Sequence, residues 1–311
     1  MTHFRPFNLN RPTRGLVAIL EFFSLFLFLV SPALAQTRPL TDRDLGIQQG
    51  VAVRQWTYLS DGLKVKGELY LPSGSQKLPL VVFNHDGIDG ISSAHRKSSI
   101  RLAKAGYVVF SPSYRGEDGS QGMVEIAKGE VRDVLACLPL LKAHPRVEKD
   151  SIAFVGASHG ALISVLAAAR NKEIKAVVSA YGVMDIYRWY AYLKQNGKLG
   201  KDAVTQRTYG QGPEKRPESF AVRNAVDVID KLDCPVLLLQ GELDDIVPPE
   251  QARLMEKALK AKGKKVQLEV YPDALHGFLV YAPYLDDASA NEKRQTEQAW
   301  RTMLAFLKKA L

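Results

Sequence analysis

The sequence predicts an α/β fold: a mostly parallel, eight-stranded sheet with helices on both faces and a small cap above one end. Three observations carry that prediction. Six short apolar runs alternate with stretches of helical periodicity, as parallel strands and their crossovers require. Two alternating segments near the front read as an antiparallel hairpin. Between the β-branched run Ile152 to Val155 and a helical run from Ala161 stands Gly156-Ala157-Ser158-His159-Gly160, the pattern of a sharp strand-to-helix turn. At 311 residues and 46% hydrophobic content the chain can bury one large core, and no second domain is required.

The elements follow in chain order. Arg5, Arg11 and Arg14 precede an apolar stretch from Leu16 to Val30, and Ala33-Leu34-Ala35 offers the small-x-small pattern that signal peptidases cut. Residues 1–35 are therefore expected to be a signal peptide, removed before Gln36. Glu21 confines the apolar core to Phe22 to Val30, short of the about twenty residues a bilayer span needs. No stable membrane span is expected after cleavage, an uncleaved anchor being the alternative. Either way the domain at 36–311 is exported, in a bacterium to the periplasm or beyond.

Val51 to Leu59 and Leu63 to Leu71 alternate apolar and polar residues around Asp61-Gly62, which makes the opening hairpin. Buried strands are expected at Leu80–Phe83, Tyr107–Phe110, Ile152–Val155, Ile174–Ser179, Pro235–Gln240 and Val266–Tyr271, with helices near 92–105, 123–143, 161–169, 249–262 and 291–311. Residues 185–232 break the pattern. This polar stretch carries Tyr187, Trp189, Tyr190 and Tyr192, then Gly210, Gly212, Pro213 and Pro217, and reads as a cap over the C-terminal strand ends. Tyr187, Trp189 and Tyr190 are candidate substrate contacts. The competing expectation is that these aromatics anchor a surface helix to the core.

The net charge of +9 falls to +7 once residues 1–35 are removed, leaving 39 Lys and Arg against 32 Asp and Glu. The basic residues are scattered, apart from Lys308-Lys309 and the Lys262, Lys264 and Lys265 turn, and read as a solvated face. No zinc-finger, helix-turn-helix or stacking pattern supports a nucleic-acid partner. Cys137 and Cys234 are expected to be two buried free thiols: export permits a disulfide, but one pair offers no framework.

The turn at Ser158 names a chemistry. Small residues two positions either side let the backbone reverse, lifting the hydroxyl above the sheet beside a helix N-terminus with unpaired N–H groups. A glycine-rich turn capped by a serine is the plainer alternative. A serine hydroxyl needs a neutral imidazole to take its proton and a carboxylate to fix the imidazole tautomer. Both follow in the order nucleophile, acid, histidine. The Pro235–Gln240 strand runs into the acid-rich turn Gly241-Glu242-Leu243-Asp244-Asp245, and the last strand is followed by His276. Ser158 is assigned as nucleophile, His276 as base and Asp244 as the orienting acid.

In register from about Trp56 to the C-terminus stand VVFNHDG (Val81 to Gly87), SPSYRGEDG from Ser111, HPRVEKDSIAFVGASHG ending at Gly160, GELDDIVPPEQA from Gly241 and YPDALHGF from Tyr271. Together they resemble the catalytic domain of the prolyl oligopeptidase family of serine peptidases and, nearly as closely, the dienelactone hydrolase-type esterases, both of the α/β-hydrolase superfamily. The resemblance implies a G-x-x-D-x-x-V-P arrangement around the acid. Gly241 and Val247-Pro248 sit at the offsets that select Asp244, with Asp245 as fallback. It also implies an oxyanion hole built from the His159 backbone N–H and that of Asp86 or Gly87. Two departures stand out: His85-Asp86-Gly87 where the family often has His-Gly-Gly, and Ala161 where it has a further glycine. Asp86 sets a carboxylate near the oxyanion site, unhelpful unless the side chain turns away.

The remaining histidines carry other expectations. His95 and His144 are read as surface or capping residues, His159 as lining the pocket, and His85 as supporting the oxyanion loop. A metal site from His85, Asp86 and Asp89 matches no familiar spacing, and no cofactor is expected. About fifteen residues between Gln36 and the first expected strand leave no room for the propeller of the larger peptidases. A bare domain with a small cap suits small esters first, short peptides second. A binding protein that keeps the fold without turnover is the third reading, against which the intact serine, acid and histidine order argues.

Overall fold

The computed structural model describes residues 37–311, so the expected signal peptide lies outside the described residues. The sheet has nine strands, not eight. The additional one, β1 (Thr41–Gln48), pairs antiparallel with β2 (Val51–Ser60), so the first strand begins soon after Gln36 rather than fifteen residues on. Its sequence, TDRDLGIQ, is mostly polar and mostly solvent-facing, with only Leu45 packed on the core, so it carries neither clear alternation nor an apolar run; charged residues are what an unprotected sheet edge favours. Asp42 and Asp44 pair with Arg54 across the ladder.

The hairpin forms as its turn dictates. Asp61 (φ +50°) and Gly62 (φ +78°) take the two left-handed positions between β2 and β3 (Leu63–Pro72), with Ser60 opposite Leu63. There follow β4 (Leu78–Asn84), α1 (Ser93–Lys104), β5 (Val108–Pro112), α2 (Gly129–Ala143), β6 (Val147–Ala157), α3 (His159–Ala168) and β7 (Ile174–Ala180). After a cap come β8 (Val236–Gly241), α8 (Glu250–Ala261), β9 (Val266–Tyr271) and α9 (Ala290–Ala310). The strand order is β1-β2-β3-β5-β4-β6-β7-β8-β9, antiparallel as far as β5 and parallel from there on.

Alternation along the central strands divides the core between two faces. Leu80, Val82, Phe154 and Leu238 pack with α2, α3 and α8 through Val134, Leu162 and Met255. Val81, Phe83, Val155 and Leu237 pack with α1 and α9 through Ile100, Trp300 and Met303. All the parallel strands end on one edge. The order reverses between β4 and β6, opening a crevice beyond their C-terminal ends, where open α/β sheets bind ligands.

Two segments around that crevice differ from expectation. The helix expected from Met123 begins only at Gly129, because Ile126 and Ala127 take positive φ and the buried Glu130 carboxylate accepts the N–H groups of Glu125, Ile126 and Lys128. Residues 185–232 form α4 (Ile186–Gln195), α5 (Ala203–Tyr209), α6 (Gly212–Lys215), α7 (Pro217–Ala221) and a 3-10 turn at Ala225–Lys231. They enclose a small core of their own around Phe220, Tyr209, Tyr190 and Ile186, which also takes in Val247 of the β8–α8 loop.

Candidate active site

Ser158 joins β6 to α3 with φ +48° and ψ −113°, backbone that a serine keeps only when its surroundings hold it. Those surroundings are tight. A Cβ at Gly156 would stand 2.2 Å from the Gly160 carbonyl oxygen, and one at Gly160 only 2.0 Å from that of Asn84. No side chain fits at either position. The Ser158 N–H donates to the Ala180 carbonyl (2.9 Å), tying the turn to the end of β7.

Loops after β6, β8 and β9 bring three side chains together. His276 Nε2 lies 3.0 Å from Ser158 Oγ, and its Nδ1 lies 2.8 Å from Asp244 Oδ2. The Asp244 side chain is fully buried: Oδ1 accepts from the N–H groups of Ile246 (3.0 Å) and Val247 (2.8 Å), and Oδ2 also takes Gln240 Nε2 (3.2 Å). With Asp244 accepting at Nδ1, a neutral imidazole turns its Nε2 lone pair toward the hydroxyl. Asp245 faces away and is exposed. Lys198 Nζ sits 2.6 Å from its carboxylate and holds that carboxyl below the ordinary value.

The loop expected to supply oxyanion donors follows β4. The backbone N–H groups of Asp86, Gly87 and His159 have no acceptor among the described residues, which leaves them able to donate to a ligand. The His159 ring steadies this loop. Its Nε2 accepts the Ala127 N–H (2.9 Å), which leaves the proton on Nδ1 to donate to the Gly87 carbonyl (2.9 Å). His85 is fully buried against the Tyr114 ring, its Nδ1 on the Asp86 carbonyl and its Nε2 3.2 Å from Glu117. Burial disfavours the charged imidazole, but the Glu117 carboxylate 3.2 Å away outweighs it and raises the His85 pKa.

The Asp86 side chain turns away from the crevice, and its partner corrects one expectation. Of the two roles expected for His95, capping holds, since it closes the capping box of α1 with Ser92, and a surface place does not: it is 2% exposed and puts Nε2 2.8 Å from Asp86. His144 does cap, at the end of α2, half-buried against Trp56. Asp89 joins no group of three or more side chains suited to a metal among the described residues. Cys137 and Cys234 are buried free thiols.

Beside Ser158 lies a cavity of about 170 Å³ whose walls include Ile88, Ile126, Leu162, Ile186, Trp189 and Ile246. No Asp, Glu, Lys or Arg lines it. Trp189 reaches it, with its indole N–H on the Ile246 carbonyl (3.0 Å), but Tyr187 and Tyr190 do not. They pack on Phe220, Tyr187 stacked at 5.6 Å and Tyr190 edge-on at 5.1 Å, because a helix gives its apolar stripe to the core beneath it. A larger cavity, about 790 Å³, lies by the lower ends of β8 and β9 against α9, far from any nucleophile–base pair.

Sequence reasoning passed over several contributors. Tyr181, at the end of β7 with φ +41°, stands edge-on to the His276 ring at 4.9 Å. Gln240 steadies Asp244, and Glu130 shapes the loop that brings Ile126 to the cavity. Only the place of Tyr181 and Gln240 at C-terminal strand ends pointed to them.

Residues 65–311 match the sequence profile of the Dienelactone hydrolase family. The chain is 33% identical over 229 residues to the uncharacterized peptidase YtmA of Bacillus subtilis, covering 73% of this chain and 87% of that one. It is 30% identical over 246 residues to a putative carboxymethylenebutenolidase of Escherichia coli O157:H7, covering 74% and 77%. Among solved structures, the acylaminoacyl peptidase of Pyrococcus horikoshii superposes with a TM-score of 0.69 at 18% identity over 85% of this chain, which spans 42% of that longer one. That likeness is one of fold. A profile match over most of the chain and a relative at 33% identity make the conclusion plain: the protein belongs to the dienelactone hydrolase family and is a hydrolase of the α/β-hydrolase fold.

Proposed function

We propose that the protein is an exported serine hydrolase that cleaves carboxylic esters of small, apolar acyl groups through an acyl-enzyme on Ser158. The observation that carries this reading is the single imidazole of His276 standing between Ser158 Oγ at 3.0 Å and Asp244 at 2.8 Å. In acylation, Ser158 Oγ bonds to the acyl carbon as its proton passes to His276 Nε2, and Asp244 stabilises the imidazolium through Nδ1–H. The oxygen that gains charge is held by the His159 N–H and that of Asp86 or Gly87. Collapse breaks the ester C–O bond, His276 gives its proton to the departing alkoxide, and water repeats the sequence in reverse to release the acid.

The cavity supports the ester and its size. At about 170 Å³ it falls well below the about 300 Å³ at which drug-sized sites begin, so a short acyl chain or one small ring fits. Its lack of charged lining offers nothing to a free ammonium group. The second reading, a peptidase acting on short peptides, is favoured by the identity to a protein named as a peptidase.

One experiment tests both readings. Folded wild type is expected to react with a fluorophosphonate probe and to hydrolyse p-nitrophenyl acetate and butyrate far faster than the laurate, while Ser158→Ala does neither. Efficient cleavage of aminoacyl or dipeptidyl amides, with esters slow, would reverse the ranking. Export rests on residues 1–35. Protein recovered from the periplasm is expected to begin at Gln36, and a membrane-bound chain beginning at Met1 would replace cleavage by anchoring.

A further inference from the structure

The oxyanion loop is pinned at three consecutive residues. His85 is held by Glu117 and Tyr114, and the Gly87 carbonyl by the His159 ring. The middle pin is unlike the others. The Asp86 carboxylate, 6% exposed, accepts on Oδ1 from His95 Nε2 at 2.8 Å and from the Tyr281 hydroxyl at 2.5 Å, and Tyr281 Oη lies 3.1 Å from His95 Nε2. Protons here are assigned by the neighbours. The Ser92 N–H donates to His95 Nδ1 (2.9 Å), which leaves the Nε2–H of His95 as the donor to Asp86. Burial and the Asp86 charge push the Tyr281 phenol up, keeping it a donor. Burial opposes ionisation of Asp86, but the hydrogen bonds from His95 and Tyr281 outweigh it and hold its carboxyl below the ordinary value.

Tyr281 lies five residues beyond His276 and backs the same turn: a Cβ at Gly277 would stand 2.9 Å from the Tyr281 ring. A carboxylate–phenol bond therefore joins the loop that supplies oxyanion donors to the turn that supplies the imidazole. We infer that Asp86, Tyr281 and His95 form a positioning unit that fixes the distance between the oxyanion N–H groups and His276, with the Tyr281 hydroxyl as the link. The inference rests on the Ser158 reading above. It also accounts for a carboxylate beside a site that stabilises negative charge, since both of its donors lie behind the loop.

The test is Tyr281→Phe, which deletes one oxygen and keeps the ring on Gly277, compared with Asp86→Asn and the double variant. Loss of a direct oxyanion donor costs about a hundred- to a thousandfold in kcat, so a misplaced one is expected to cost about ten- to a hundredfold. KM for p-nitrophenyl acetate should stay within about twofold, the fluorophosphonate labelling rate should fall with kcat, and the double variant should be no worse than the poorer single one, as one coupled unit requires. Tyr281→Phe with kcat and labelling within about twofold of wild type would overturn the inference. So would a fall in melting temperature alone, with kcat per folded molecule unchanged, which marks a merely structural role. Should Asp86→Asn not fold, Tyr281→Phe decides by itself. Failure of the underlying reading looks different: Ser158→Ala would still label and turn over ester.

Discussion

Two adjacent aspartates compete for one imidazole, and hydrogen-bond donors decide between them. Asp244 is buried and receives two backbone N–H groups and the Gln240 amide besides His276, whereas Asp245 spends its carboxylate on Lys198 in the cap. Replacing Asp244 by Asn swaps an acceptor for a donor at Nδ1 and imposes the wrong tautomer, a change that lowers kcat about ten-thousandfold in a serine triad. Asp244→Asn is expected to approach that loss and Asp245→Asn to stay within about tenfold, through KM, since solvent screens the exposed Asp245–Lys198 pair. Ester kinetics on folded variants will rank them, and the opposite order would move the role to Asp245. The choice was legible only through the family resemblance, whose G-x-x-D-x-x-V-P arrangement Gly241 and Val247-Pro248 match around Asp244. Tyr281 and His95 were not legible. They lie 195 and 9 residues from Asp86 along the chain, and nothing local to either announces the contact.

At the scale of elements, the cap is stapled to the core by backbone carbonyls. The buried Arg223 guanidinium donates to the carbonyls of Glu125, Ile126 and Ser219, and Arg207 to that of Val124 (2.6 Å). Both hold the 123–128 loop whose Ile126 walls the cavity. Hydrogen bonds to a charged donor are worth about 1.5–3 kcal/mol each, so Arg223→Ala is expected to loosen this wall without touching Ser158. KM for p-nitrophenyl butyrate should rise several-fold with kcat nearly constant, and octanoate should become a better substrate relative to acetate. Unchanged chain-length selectivity would mean that Ile126 does not bound the acyl site. The helix placed too early at Met123 shows why the loop escaped notice. Its residues suit a helix, and only Glu130, capturing three N–H groups from a folded position, turns them away from one.

For the whole molecule, stability should decline toward acid. Asp86 has a folded pKa below its unfolded value, so it contributes fully above about pH 4 and loses that contribution as pH falls through the folded value. His144 is lowered by burial and by Arg146, so below about pH 6.5 the unfolded chain takes up a proton that the folded one resists. His85 runs the other way. Raised by Glu117, it contributes most below about pH 6.5 and loses that as pH rises through its folded value. Thermal melts between pH 8 and pH 3.5 are expected to fall most steeply below pH 4, where the buried Asp86 and exposed lowered carboxylates such as Asp61 and Asp245 lose their contributions together, and Asp86→Asn should blunt that limb. A melting temperature that climbs into acid would contradict these assignments.

By itself, the sequence determined the parallel core, the hairpin at Asp61-Gly62 and the elbow at Ser158, because each is written in local terms: alternation, two left-handed positions, and two places where no side chain fits. The tertiary structure alone decided the polar edge strand β1, the division of the cap aromatics between cavity and core, and the Asp86–Tyr281–His95 link. Polar side chains carry no periodic imprint of their partners. Burial writes itself into a chain as a repeating pattern, whereas a hydrogen bond between distant residues exists only once the chain has closed around it.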